Sequence, residues 1–163
     1  MAALEKPRFV DSPALYIVGL AKRYPRDQLS LIPHLWEILS EQMQFMSGRV
    51  GGKTYGVWYD VLKPGGGPMI YGAGVLTGEF APVHLNFSRF NLPAQRYAVF
   101  PHKGAAADIR RTVDAIFTEW LPKSGKQHHV QAEGAADFFE CYSEDFDRTT
   151  GRGEIEIWVP IKK

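Results

Sequence analysis

The chain has 163 residues, 45% of them apolar, 13% aromatic and 23% charged, with a net charge near +1. That is the composition of a globular chain of single-domain size, and the charge balance gives no electrostatic footprint for nucleic acid or an acidic membrane. The single cysteine, Cys141, permits no internal disulfide and predicts a reducing, cytoplasmic setting, and no apolar run reads as a bilayer span or a signal peptide.

In chain order, residues 14–21 ("ALYIVGLA") read as a strand entered after Pro13. Ser30 is positioned as a helix cap, with Pro33 in the first turn. Ile32, Trp36, Leu39, Met43 and Met46 then recur at helical spacing and predict one buried face. Residues 54–62 and 69–78 read as a hairpin around the "PGGGP" turn, and residues 79–93 as a connector with a short extended piece. Residues 94–102 form the next strand. Ile109, Val113, Ile116 and Trp120 mark a second helix that Pro122 is expected to close. "FFECY" (138–142) and "EIEIWVPI" (154–161) complete the strands.

The order is β-α-β-β repeated once, which predicts an α+β single domain spanning residues 1–163. Two helices pack on an antiparallel sheet, with a ligand cleft between the halves. "YIVGLAK" from Tyr16 overlays "YAVFPHK" from Tyr97. Trp36 to Trp58 and Trp120 to Tyr142 are the same distance apart.

In the last strand Ile155, Ile157 and Val159 share a face, expected to lie under the helices. Placing Phe139 and Cys141 on that face sends Glu140, Tyr142 and Trp158 to the other, with Trp58 at the matching place in the first half. A carboxylate ringed by aromatics either finds a cation or resists ionisation. It can anchor a ligand cation or act as a general acid or base. No metal is expected: the five histidines (34, 84, 102, 128, 129) lack ligand spacing, and one cysteine is too few for a thiolate zinc site. "GRVGGKT" is one residue short of a phosphate-binding loop and precedes a strand instead of a helix.

The strings "RYAVFPHKG", "EWLP", Phe139-Glu140-Cys141-Tyr142 and "GEIEIWVP" together resemble the gyrase-inhibitor-like family, also known as the AraC-type effector-binding or SOUL-related domain. The resemblance runs from about Tyr16 to Lys162. It implies a duplicated fold whose pocket senses small molecules, often lipophilic cations, without a cofactor. It also implies Glu140 as the pocket acid, with Tyr142, Trp120 and Trp158 as walls and Trp58 and Tyr71 as contributors from the first half. Asp137-Phe138 stands where the family often has Pro-Asp, which alters that edge of the pocket.

Only 13 residues precede the first expected strand, too few for a helix-turn-helix. The expectation is therefore a module without direct nucleic-acid binding. It captures amphipathic, cationic aromatic compounds, to sequester or report them, alone, as a homodimer or with a protein partner. Two alternatives stand beside this: hydrolysis of strained cyclopropane-bearing toxins with Glu140 as base and Tyr142 orienting water, and a protein-interaction role of gyrase-inhibitor type.

Overall fold

The computed structural model describes residues 4–46, 48–62, 65–129 and 135–163. Eight antiparallel strands form one sheet: β1 (Arg8–Ser12), β2 (Leu15–Tyr24), β3 (Arg49–Tyr59), β4 (Met69–Thr77), β5 (Ser88–Leu92), β6 (Gln95–His102), β7 (Phe138–Tyr142) and β8 (Ile155–Ile161). Their spatial order is β1-β6-β8-β7-β3-β4-β2-β5. Helix α1 (Ile32–Gln42) follows β2. Helix α2 (Ile109–Ala115), a π-helical turn (Ile116–Trp120) and α3 (Leu121–Ser124) follow β6.

The duplication is visible and larger than the β-α-β-β unit expected. Each half gains a five-residue strand at its start, β1 and β5, and the two are exchanged: β1 pairs with β6 of the second half, β5 with β2 of the first. Val99 faces Arg8 just as Gly19 faces Ser88. The Tyr16–Tyr97 overlay slips by one residue, since Ile17 and Tyr97 share one core whereas Val18 and Ala98 share the other. The halves join at β3 and β7, where Gly56 sits opposite Glu140. Laying Trp36 on Trp120 carries Gly56 onto Glu140, so the central pair joins equivalent positions of the two repeats.

Both faces of the sheet are buried. Under the helices lie Leu35, Trp36, Leu39, Ile109 and Ile116 with Phe138, Tyr142, Ile155, Ile157 and Val159. The far face holds Ile17, Tyr55, Val57, Phe90, Tyr97, Phe139 and Cys141 without a helix to cover it. It closes by curling: the rings of Tyr59 on β3 and Phe90 on β5 lie 6.4 Å apart across two intervening strands, where a flat sheet puts the backbones roughly 14 Å apart.

Two expectations about helix ends are corrected. Ser30 caps nothing: it lies in a 3₁₀ segment (Arg26–Leu31), and α1 starts after Leu31 without a side-chain cap. Pro122 does not end the second helix. It enters the first turn of α3, after the π turn, and Gly125 at φ 75° ends the run in the left-handed conformation glycine favours. A widened turn accommodates a residue that has no N–H to donate and a ring that crowds the preceding carbonyl. Pro64 of the predicted hairpin turn lies outside the described residues. No described helix is long and apolar enough to cross a membrane.

Candidate functional site

Between α1 and α2, over β3, β4 and β7, lies a cavity of about 1110 Å³. Its walls include Trp36 of α1, Ile109 and Val113 of α2, and Phe146 and Arg148 of the β7–β8 loop; Trp58, Tyr71, Glu140 and Tyr142 rise from the strands. Strand alternation puts Phe138, Glu140 and Tyr142 on this helix-side face, and Glu140 pairs across the sheet with Ile157. The expected phase of β7 was therefore inverted. Phe139 and Cys141 face the far core, and Glu140 lies under the helices. With every residue of "FFECY" buried, the strand has no exposed polar side to reveal which face is which.

The inversion separates the predicted walls. Glu140, Tyr142, Trp58 and Tyr71 converge on the cavity. Trp158 lies on the opposite face, stacked on Phe139 with centroids 5.2 Å apart and donating to Glu156. Trp120 packs edge-on to Phe100 at 4.9 Å and near Phe9, outside the cavity lining. Trp120 packs against the same helix-side core as Ile109 and Val113, but farther along the helix than the cavity lining, which ends there at Asp114.

Glu140 is 4% exposed and accepts three hydrogen bonds from neutral aromatic groups. Trp58 Nε1 donates to Oε2 at 2.7 Å, while the Tyr71 and Tyr142 hydroxyls donate to Oε1 at 2.9 and 2.6 Å. Behind them Trp36 Nε1 donates to the Tyr71 hydroxyl at 3.0 Å. Burial raises the Glu140 pKa above the ordinary carboxylate value, opposed by the Tyr142, Trp58 and Tyr71 donors and the Arg148 charge. Burial first, and then the Glu140 charge, push both phenols well above the usual tyrosine value, so they act as neutral donors. None of the ion pairs among the described residues includes Glu140.

Gly56 makes this arrangement possible. A Cβ there would lie 2.0 Å from the Tyr71 hydroxyl and 2.6 Å from Glu140 Oε1. One repeat thus supplies the carboxylate and the equivalent position of the other supplies the space for it.

Sequence reasoning missed three contributors. Trp36 reads from its spacing as helix packing, and its 6% exposure agrees, but it also lines the cavity and anchors Tyr71. Gly56 sits in a strand interior, where a glycine signals a close approach. Arg148 lies in a turn with no periodicity, yet its guanidinium carbon is 3.4 Å from the Trp36 ring centroid. Among the described residues no cluster of His, Cys, Asp or Glu has the makings of a metal site.

Comparison with known proteins supplies the family context. Residues 5–162 match the sequence model of the GyrI-like small molecule binding domain. The transcriptional regulator BrlR of Pseudomonas aeruginosa is 29% identical over 156 residues, which cover 94% of this chain and 54% of the regulator. The chain thus spans about half the length of that curated relative. The structure of SAV2435 bound to tetraphenylphosphonium matches with a TM-score of 0.71 at 22% identity, covering 97% of this chain and 94% of that one. The EcmrR C-terminal domain matches with a TM-score of 0.71 at 16% identity, covering 99% of both chains. At these identities the structural matches establish the fold.

Proposed function

The chain belongs to the GyrI-like small-molecule-binding domain family, and from that premise we propose that its cavity captures lipophilic aromatic cations. The observation that carries this reading is Glu140: a buried carboxylate, hydrogen-bonded among the described residues to neutral donors alone, on the floor of an aromatic cavity. A carboxylate in that setting offers a ligand cation Coulomb attraction in a medium of low polarity, and the surrounding rings add cation–π contact. The cavity volume suits a drug-sized molecule. Tetraphenylphosphonium, the molecule bound in the SAV2435 structure, is a fitting probe because its charge is shielded by aromatic surface.

Capture fits the geometry better than hydrolysis. Glu140 already accepts from three donors, two of them on one oxygen, which leaves little of the carboxylate free to take a proton from water. Calorimetry tests the capture reading. Saturable binding of tetraphenylphosphonium at micromolar Kd (about −8 kcal/mol) supports capture; absence of saturable binding overturns it.

A pH dependence follows from the Glu140 pKa. Because burial raises that value, the carboxyl takes up a proton at a higher pH than an exposed carboxyl does. The protonated form offers no charge to a cation. Affinity for tetraphenylphosphonium is expected to be constant above the raised pKa and to fall by up to about tenfold per pH unit below it. Binding isotherms across a pH series check this; an affinity unchanged down to the ordinary carboxylate range contradicts it.

A further inference from the structure

One of the three rings bonded to Glu140, that of Tyr142, and the Trp36 ring behind a second already carry a cation from this chain. The Arg148 guanidinium carbon lies 3.4 Å from the Trp36 centroid, 4.6 Å from that of Tyr142 and 5.2 Å from that of Phe146. Tyr142 is one of the three donors to Glu140, and Trp36 holds the second, Tyr71. Arg148 also donates from Nη2 to Thr54 Oγ1 at 2.9 Å. Its residue as a whole is exposed, yet its guanidinium is desolvated enough that burial draws its pKa below the ordinary value, with Tyr142, Tyr71 and Glu140 acting in the opposite direction. It forms no ion pair with Glu140 among those of the described residues, so it sits in the aromatic cage without binding the carboxylate directly.

We propose that Arg148 is a tethered internal competitor, which occupies the cation site of the empty protein and must leave for an external cation to enter. The inference rests on the cation-capture reading and adds what that reading lacks, a reason for selectivity. A small hydrated cation gains too little to displace a guanidinium stacked on Trp36. A large aromatic cation gains contact across the whole cavity and can do so.

The device also links occupancy to a loop. Arg148 belongs to residues 143–154, a compact turn built on Asp147, whose backbone carbonyl accepts from Gly151 and whose side chain accepts from Thr149. The Gly151 carbonyl in turn accepts from the Ala106 amide at the approach to α2. Release of Arg148 frees the loop's hold on the cage, and the Gly151–Ala106 hydrogen bond carries that change to the approach to α2.

The test uses tetraphenylphosphonium with the full chain, wild type against Arg148→Ala, Arg148→Gln and Arg148→Lys. Both uncharged variants are expected to bind roughly tenfold more tightly, the worth of a desolvated cation–π contact, and Arg148→Lys to stay closer to wild type. In the wild type the Arg148 side-chain N–H signal, shifted by the Trp36 ring current, should move to its free-arginine position as ligand is added. Unchanged or weaker binding by the uncharged variants, with Glu140→Gln still weakening the wild type, overturns the competitor role and leaves the cation site standing. Failure of every variant to bind overturns the cation site, and the competitor with it. An Arg148 signal that keeps its ring-current shift at saturation overturns the displacement.

Discussion

Glu140→Gln is expected to weaken tetraphenylphosphonium binding by tenfold or more and to leave an uncharged aromatic compound of similar size within about twofold. The amide has nearly the shape of the carboxylate. Its oxygen can face Trp58 Nε1, the donor-only neighbour, and its NH₂ can face the two phenols, which can also accept. What disappears is the charge. A cation ~5 Å from a carboxylate at an effective dielectric of ~20 gains about 3 kcal/mol. Desolvation takes back part of that, so about 1.4 kcal/mol, or tenfold, is the floor.

The same substitution has a stability consequence of defined sign. The folded-state pKa of Glu140 is raised. Its contribution to stability is therefore fully present below the unfolded value and is lost as pH rises through the folded value. Relative to wild type, Glu140→Gln should gain stability as pH rises through that window, measured as a difference in Tm. A loss of affinity shared equally by charged and neutral compounds would indicate damage to the cavity and no role in charge recognition.

Gly56→Ala is expected to damage both fold and site. Its added methyl would stand 2.0 Å from the Tyr71 hydroxyl and 2.7 Å from Tyr71 Cζ. Tyr71 is 1% exposed, tied to Trp36 and packed edge-on to Trp58 at 4.7 Å, so it has nowhere to retreat. Overpacking of this kind costs about 1–3 kcal/mol, and displacing Tyr71 from a charged acceptor adds about 1.5–3 kcal/mol. The urea midpoint should fall with an unchanged slope, and cation binding should be lost or severely weakened. Gly78→Ala, where a Cβ meets open space, is the control and should shift stability by less than about 0.5 kcal/mol. Equal effects of the two substitutions would contradict the close approach at Gly56.

Periodicity alone yields most of the fold. Ile155, Ile157 and Val159 alternate against Glu156 and Trp158, and the helix stripes from Ile32 and Ile109 fix which face is covered. The equal spacing of Trp36–Trp58 and Trp120–Tyr142 exposes the duplication. β1 escapes because "RFVDS" is short, half-polar and set between prolines, and its partner β6 is remote in sequence. The site was legible as chemistry and only partly as geometry. Glu140 among aromatics stands out in any reading. Its face does not, because β7 is buried on both sides and its phase depends on cross-strand register with β8. Trp158 and Trp120 fall outside the cavity for separate reasons: the phase of β7 puts Glu140 on the face away from Trp158, and the lining on the second helix ends at Asp114. Arg148 was invisible because a loop side chain is placed by tertiary contacts with Trp36 and Thr54, distant in sequence.

The most direct measurement is a crystal structure of the chain with tetraphenylphosphonium. The phosphonium is expected between α1 and α2, its phenyl groups against Trp36, Tyr142 and Trp58, the Glu140 carboxylate as the nearest anion, and the Arg148 guanidinium lifted off the Trp36 ring. A ligand seated instead on the far face beside Trp158 and Phe139, with the Glu140 cavity unfilled, would contradict it.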